Sequence, residues 1–566
     1  MKNYSNRLFR YTYLLLLAIA SLFAVGCSTV EDYTLGSDIM PEEQVMVMRH
    51  LKFQGNNKIC FNPDKGTNET LPLEGKNLLE TRLYRTDSLL ASNTGIGCMG
   101  VRRSDVLGVR SAGFASTMLY MNAIDEENGF GYMPIFDTMF MLLTVKDYGG
   151  DTIVPIKYNV YKLTKSLAGN VLKYDEKRKE DLVAYINCDL TSVYDKSKPI
   201  FTFTFPDNNL KQSLSTVMVP MTPTEHTWKE FVRDLMLVPE DYMTGDWDGY
   251  GNKGVEIYKD DAKWSDKFFG VYIEPDLSSV EASGKEGAIY TLDLATSGMM
   301  LQGRNRNPQD LSMIQDTVGM FYYFLDEAST YNASVNKVEH DYTKGLTGDN
   351  SKLLNSDDMD YTKPRAERKT VSNCCVDGLG GPSTEIYFTD DFLNELVALE
   401  TTEQGEYSRM GINQCLLTIY VKGADYKWDE TQGNSKELLP LINNSFTRLG
   451  SYTNYNTLSP ITDYNYIYES AYDMEIAYNG YLDRSRACYT LNITAHIQKL
   501  FNSMRQEDGT YDISKVDEKL RTIYIGTEAT TPYDVSESFL QGMPEDQEGN
   551  TVNAPIQIDL TYTLIK

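Results

Sequence analysis

The sequence predicts a mostly β fold in which two β-sandwich, jelly-roll-like modules with a few short helices follow an N-terminal leader and tether. Three observations predict it. Several segments alternate apolar and polar residues, helical periodicity occurs only in patches, and two strand-like strings recur in the same order in both halves of the chain. With 566 residues, of which 41% are hydrophobic, the chain can form more than one packed domain.

The strand signal is strongest in five segments. Residues 156–161 and 556–564 alternate apolar and polar side chains, as strands with one buried face do. Shorter β-prone runs cover 140–145, 200–205 and 268–273. These segments predict antiparallel strands joined by turns.

Helical periodicity is limited to three segments. Residues 389–399 and 493–504 have the composition of short helices. In the third segment, 227–236, apolar side chains recur at the spacing of one helix face: Trp228, Phe231, Val232 and Leu235. We therefore expect helices to be few and to pack by one apolar face.

Two pairs of similar strings predict an internal duplication. Residues 288–296 resemble 487–495, and residues 139–145 resemble 414–421. After the first pair, each half would continue with a helix and then a β-run. Chance similarity among β-rich strings is the alternative. On the duplication hypothesis the modules are 51–343 and 371–566, and the charged segment 344–370 links them.

The N-terminus has the three parts of a secretory signal. Basic residues come first, an apolar segment runs from Tyr13 to Val25, and the small residue Gly26 precedes Cys27. This arrangement resembles the lipobox of bacterial lipoproteins, in which the cysteine thiol receives a diacylglycerol. A membrane-spanning helix is the alternative, but the apolar segment is shorter than the roughly 20 residues that a span needs.

The residues after the signal indicate a location. On the lipoprotein interpretation, residues 1–26 are the signal, Cys27 is lipidated and 27–50 form a tether. Glu31 and Asp32 resemble an export signal for the outer face of the outer membrane, although a plain polar linker is the alternative. The net charge of −27 argues against a nucleic-acid partner. We therefore expect a body held off the membrane at the cell exterior.

The remaining cysteines do not form a disulfide framework. They are scattered and odd in number, which favours small buried hydrophobic residues, with one or two bridges left open. They are Cys60, Cys98, Cys188, Cys374, Cys375, Cys415 and Cys488.

No catalytic residues or cofactor are predicted, because none of the four histidines lies in a recognised catalytic motif. The nearest approach to a metal site is a glycine-rich loop whose oxygens would suit Ca²⁺, with Asp246, Asp248 and Asn252 as ligands. Its spacing departs from an EF-hand, because Gly249 and Tyr250 occupy two early loop positions. A plain turn is therefore favoured, and no metal site is predicted.

Tyrosine is unusually frequent, with 40 Tyr but only four Trp. Many lie between residues 446 and 481 beside Asn and Ser, and tyrosines in such a setting can contact proteins or sugars. The alternative is that they pack within strands. The candidate ligand contacts are Tyr452, Tyr455, Tyr464 and Tyr466.

Several motifs are spread along the mature chain: 35–41 in the tether, Glu80 to Leu89, 137–142, 149–152, 160–164, Gly378 to Thr384 and 411–415. In these motifs the chain is similar to the domain-of-unknown-function family 4270 (DUF4270) of bacterial envelope lipoproteins, and Cys415 departs from its pattern by standing where Ala is expected. The resemblance implies an anchored, β-rich exported protein and supplies no activity or catalytic residue.

These observations predict a non-enzymatic lipoprotein of the outer membrane, facing the exterior, that acts as a binding or accessory subunit. Its expected partners are the membrane, through the lipid anchor, and an outer-membrane protein or a glycan. A glycan-binding lipoprotein that uses the tyrosine-rich segment is the first alternative. A hydrolase that acts on polysaccharides is the second, because acid pairs are unavoidable among 80 Asp and Glu residues.

Overall fold

The computed structural model describes most of residues 46–565. Strands make up 47% of the described residues and helices 16%, so the predicted mostly β fold with few helices is confirmed. The gaps in the described part are residues 63, 87–88, 122–129, 177, 208–215, 238–254, 327–328, 347, 350–353, 355, 361, 402–408, 425–437, 465–477, 529–532 and 547–548.

The strands of the described chain, in order, are β1 (Met46–Gln54), β2 (Asn57–Asn62), β3 (Thr67–Pro72), β4 (Leu79–Tyr84), β5 (Ile96–Ser104), β6 (Gly108–Ser116), β7 (Leu119–Tyr120), β8 (Ile135–Leu143), β9 (Val145–Gly150), β10 (Ile156–Lys162), β11 (Lys173–Asp175), β12 (Glu180–Val183), β13 (Phe201–Phe205), β14 (Val217–Pro223), β15 (Val271–Pro275), β16 (Ala288–Asp293), β17 (Gly298–Arg306), β18 (Ile314–Tyr323), β19 (Ser334–Asp341), β20 (Lys344–Gly345), β21 (Gly348–Asp349), β22 (Asn373–Asp377), β23 (Ser383–Phe388), β24 (Arg409–Tyr420), β25 (Gly450–Asn454), β26 (Ser459–Pro460), β27 (Asn479–Asp483), β28 (Cys488–Asn492), β29 (Thr522–Gly526), β30 (Glu537–Gln541) and β31 (Gln557–Ile565).

The α-helices are α1 (Trp228–Leu235), α2 (Asp261–Lys267), α3 (Leu277–Glu281), α4 (Asp390–Thr401), α5 (Leu438–Asn444), α6 (Thr494–Met504) and α7 (Glu518–Arg521). Short 3₁₀ helices cover Val255–Lys259, Ser356–Asp358, Arg365–Glu367 and Ile513–Lys515. The three predicted helices correspond to α1, α4 and α6, and the five predicted strand segments correspond to β8, β10, β13, β15 and β31. Within the described residues, no helix is both long enough and apolar enough to cross a membrane.

One large antiparallel sheet of thirteen strands forms the first body. Its strand order is β7-β18-β17-β8-β14-β13-β10-β15-β6-β5-β16-β9, and β19 pairs with β6. Met139 of β8, Val160 of β10 and Leu292 of β16 lie far apart in this order yet share one core. The sheet therefore curls around its own apolar side chains. Ile289 of β16 points to the opposite face of this sheet, where it joins a second core.

Two sheets that share one core form the second body in a sandwich-like arrangement. The larger sheet has the order β27-β28-β24-β31-β1-β2-β3, and the smaller has the order β26-β25-β29-β23-β4. Leu417 and Leu560 from the larger sheet pack in the same cluster as Ile386 and Ile523 from the smaller one. Helices α4 and α6 contribute their buried faces to that cluster.

The strand pairing divides the chain differently from the predicted boundaries. β1 pairs with β31 from Met46 opposite Ile565 to Gln54 opposite Gln557, and β4 pairs with β23. The start of the predicted first module, and the last residues of the predicted tether, thus belong to the second body. Alternation shows that a strand has one buried face but not which strand lies beside it.

The predicted linker and duplication also differ from the structure. Met359 and Arg368 of the 344–370 segment are buried, so part of that segment is packed. The residues after 288–296 form strand β17 rather than the expected helix. In the second half of the chain, the two similar strings form β24 and β28, which pair with each other. In the first half they form β8 and β16, but β8 pairs with β14 and β17 instead of β16. The similar strings therefore have different neighbours.

Candidate functional site

A buried ionic cluster joins the two bodies. Arg102 of β5 and Arg110 of β6 extend from the first body toward Asp377 of β22 and Glu537 of β30. Strands β22 and β30 form a two-stranded sheet whose Val376 and Leu540 pack in the core of the second body. Arg110 donates to Asp377 and, at 2.8 Å, to Glu537, while Arg102 donates to Glu537 at 2.6 Å and to the half-buried Glu286 at 2.5 Å. The side chains of Arg110 and Asp377 are each 1% exposed. We call this set of charges the ionic junction.

The glycine-rich loop after Asp377 closes over the junction. A side chain at Gly381 would overlap the Asp377 carboxylate, and one at Gly378 would overlap the backbone oxygen of Asp534. Arg85 donates to the backbone oxygen of Gly380 at 3.4 Å. Two of the segments that carry the family resemblance, 80–89 and 378–384, therefore meet beside the junction.

His340 lies next to the junction and is closed to solvent. Its side chain is fully buried, and its Nε2 is 3.9 Å from Oδ2 of Asp377. Burial, and then the charges of Arg85 and Arg110, hold the pKa of His340 well below its usual value. Burial also raises the pKa of Asp377 to about 6, despite the opposing charge of Arg110. Because no solvent reaches this pair, its position suits a structural clamp better than catalysis on a substrate.

The tyrosines predicted to contact a ligand are buried in the core of the second body. Tyr452 is fully buried, Tyr464 is 1% exposed and Tyr455 is 5% exposed. The ring of Tyr452 packs edge-on against both other rings, and its hydroxyl donates to the backbone oxygen of Thr527. The predicted ligand contacts at these three residues are therefore wrong. All three pack in the core, but only Tyr452 does so from a strand, β25, as the alternative expected. Tyr466 lies outside the described residues.

Other predicted site residues fall in parts of the chain that are not described. They are Cys27 and the candidate Ca²⁺ ligands Asp246, Asp248 and Asn252. Within the described residues, no group of three or more His, Cys, Asp or Glu side chains is placed to hold a metal ion.

The cysteines that the structure describes are free thiols. Five are buried, whereas Cys60 and Cys188 are half-buried. Burial raises the pKa of Cys188 to about 11, so this thiol is protonated at neutral pH. These thiols therefore serve as small packing residues, as the sequence predicts.

A depression of about 260 Å³, lined by both polar and apolar groups, lies where β10, β15, β6 and β19 run side by side. We call it the sheet groove. Asn159 of β10 pairs with Glu274 of β15, and Gly113 of β6 pairs with Lys337 of β19. Neighbouring strands thus present an amide, a carboxylate and an ammonium group, and the missing side chain at Gly113 makes room for the Tyr272 ring.

The sheet groove has a tyrosine wall. The rings of Tyr161, Tyr194 and Tyr272 lie 4.8 to 6.0 Å apart, and Tyr161 and Tyr272 line the depression. Burial, and then the charges of Glu274 and Glu339, raise the pKa of Tyr194 to about 12. These hydroxyls therefore remain protonated at neutral pH, and because all three tyrosines are buried, they form a closed floor beneath the depression.

Two further depressions lie beside the sheet groove. The middle groove, of about 470 Å³, is lined by Arg85, Ser111, Asn187, Leu277, Glu281, Lys337, Glu339 and Lys344 among others. The loop cleft, of about 870 Å³, is lined by segment 170–189 of the first body and by Asn456 and Thr457 of the second. The ring of Tyr174 in that cleft is 52% exposed.

Sequence reasoning did not identify these three depressions. It placed the ligand site in the tyrosine-rich segment, of which Asn456 and Thr457 line the loop cleft. A usable signal exists in β19, where Lys337 and Glu339 flank the buried, apolar Val338. Comparison with family models, curated proteins and solved structures found no match.

Proposed function

We propose that this protein is a lipid-anchored protein of the outer membrane, facing the exterior, that acts as a non-enzymatic binding or accessory subunit. The observation that carries the proposal is the leader, whose basic start and short apolar segment end at Gly26 and Cys27. Acyl chains on Cys27 would each contribute about 0.8 kcal/mol per buried CH₂, so two or more chains anchor the body without a membrane helix.

Three further features support this location and role. Glu31 and Asp32 directly after the lipidated position favour export to the outer face. A net charge of −27 favours a body that stands off anionic lipid rather than lying on it. The resemblance to DUF4270 lipoproteins is consistent with both. The structured body then supplies a surface with polar depressions on which a partner or ligand can bind.

The test is affinity capture of the tagged, lipidated protein from crosslinked intact membranes, followed by mass spectrometry. We expect an integral outer-membrane protein to be recovered with the wild-type protein and with Cys60→Ala. Recovery should fall with Cys27→Ala, because that variant loses confinement to the membrane. If no integral membrane protein is enriched over an unrelated lipoprotein, the accessory role is contradicted.

Glycan binding is a second candidate, and the lining of the depressions favours it. The sheet groove and the loop cleft combine amide, carboxylate, ammonium and tyrosine groups, which hydrogen-bond to hydroxyl-rich ligands. Binding of the full-length protein to a glycan array would support this candidate. If instead the protein released reducing ends from a panel of polysaccharides, the non-enzymatic part of the proposal would be wrong.

A further inference from the structure

We infer that the sheet groove, the middle groove and the loop cleft form one continuous groove that binds an uncharged polysaccharide chain. The inference rests on the glycan-binding candidate and adds the length and the charge of the ligand. It also moves most of the site to the first body, with Asn456 and Thr457 of the tyrosine-rich segment at one end.

Shared residues connect the three depressions. Lys337 and Glu339 line both the sheet groove and the middle groove, and Asn187 lines both the middle groove and the loop cleft. The backbone explains this continuity, because the N–H of Val338 donates to the oxygen of Ile186 at 3.0 Å. Segment 186–188 therefore runs beside β19 and carries Asn187 next to the two charged side chains.

The arrangement of strands sets the length of the groove. The strands β10, β15, β6 and β19 are adjacent, and the groove runs across them. Three inter-strand spacings of about 4.8 Å give the sheet groove alone a length of roughly 14 Å. Segment 186–188 and the loop cleft extend the groove beyond β19. This length exceeds one sugar ring and matches a chain of several linked sugars.

The charges in the groove favour an uncharged ligand. Lys337 pairs with Glu339 at 2.7 Å, and Lys196 pairs with Glu274 at 3.4 Å. In the middle groove, Lys344 lies 3.8 Å from Asp341. Such pairs offer donors and acceptors for hydroxyl groups without a net local charge. The net charge of −27 also opposes an anionic polymer.

The loop cleft adds a stacking surface and an acceptor. The half-exposed ring of Tyr174 can pack against the apolar face of a sugar. Oδ1 of Asn456 is buried and has no hydrogen-bond partner, so a ligand hydroxyl that donates to it would relieve an unsatisfied polar atom. Both features favour a sugar unit at this end of the groove.

The experiment is calorimetric titration of the full-length lipidated protein in detergent micelles with neutral linear gluco-, xylo- and manno-oligosaccharides of increasing length. For at least one series, we expect affinity to rise with each added unit until the groove is filled. Asn187→Ala, at the connection between depressions, should weaken the longest chain about fivefold and leave the shortest unchanged. Glu339→Gln should also weaken binding of the longest chain. Glu69→Gln, which alters a Lys–Glu pair at β3 outside the groove, should leave the affinity unchanged.

The outcomes separate the inference from the proposals on which it rests. If a short sugar binds but longer chains bind no better, the single continuous groove is wrong and glycan binding stands. If binding to chains is unaffected by both groove variants, the location is wrong. If no neutral oligosaccharide binds, glycan binding and the groove fail together, while capture of a membrane partner would still support the accessory role.

Discussion

Removing Arg110 should destabilise the protein far more than removing an exposed arginine. In Arg110→Met, Asp377 loses its hydrogen-bonded cation entirely, and Glu537 keeps only Arg102. Leaving a buried charge unpaired costs about 3–5 kcal/mol. The loss of two charge-assisted hydrogen bonds, at about 1.5–3 kcal/mol each, gives an overlapping range of about 3–6 kcal/mol. We therefore expect the free energy of unfolding to fall by about 3–5 kcal/mol.

The assay is urea unfolding followed by circular dichroism, with Arg304→Met as the matched control. Arg304 also pairs with an acid, Asp137, at 2.7 Å, but its side chain is 45% exposed. Its loss should change the free energy of unfolding much less than the loss of Arg110, because an exposed ion pair contributes little. The double variant Arg110→Met with Asp377→Leu should be destabilised by less than the sum of the single variants, because the unpaired carboxylate is gone. Equal losses for Arg110→Met and Arg304→Met would refute the assignment of a buried junction.

Three further predictions test the packing and the buried histidine. Tyr464→Ala should lower the free energy of unfolding by about 3–5 kcal/mol, because it removes a core ring; an unchanged unfolding curve would restore the ligand-contact interpretation. Gly381→Ala should lower the melting temperature, because the added Cβ meets the Asp377 carboxylate, whereas Gly66→Ala, which has open space but a positive φ, should cost less. Burial lowers the pKa of His496 from 6.5 to about 4. Between these two pH values the unfolded chain binds a proton that the folded chain does not bind. The free energy of unfolding therefore falls as pH drops through this window, by about 3 kcal/mol in total. His496→Gln should reduce that fall when unfolding is measured at both ends of the window, and an identical pH dependence would contradict the buried neutral state.

Elements with a local pattern could be predicted from the sequence, and their partners could not. The alternation in β10 and β31 and the apolar face of α1 are properties of consecutive residues, so they predict the element directly. The pairing of β1 with β31 joins residues at opposite ends of the described chain. Nothing local distinguishes that pairing from a hairpin, which explains why the predicted boundary fell at residue 51.

The candidate site could not be predicted for a related reason. Tyrosine is both a strand-forming and a ligand-contacting residue, and only burial shows that Tyr452 and Tyr464 serve the core. The groove instead uses Asn159, Glu274 and Lys337, which become neighbours only when their strands pair. A site assembled from several strands leaves no spacing in the sequence to detect.

Metabolic labelling with a palmitate analogue tests the central claim, lipid anchoring at Cys27, most directly. The label should be incorporated by the wild-type protein and by Cys60→Ala, which removes a half-buried thiol of the body. Cys27→Ala should carry no label and should leave the membrane fraction. If the wild-type protein is unlabelled, or if Cys27→Ala is labelled as strongly as the wild type, the protein is not anchored by lipid at this residue.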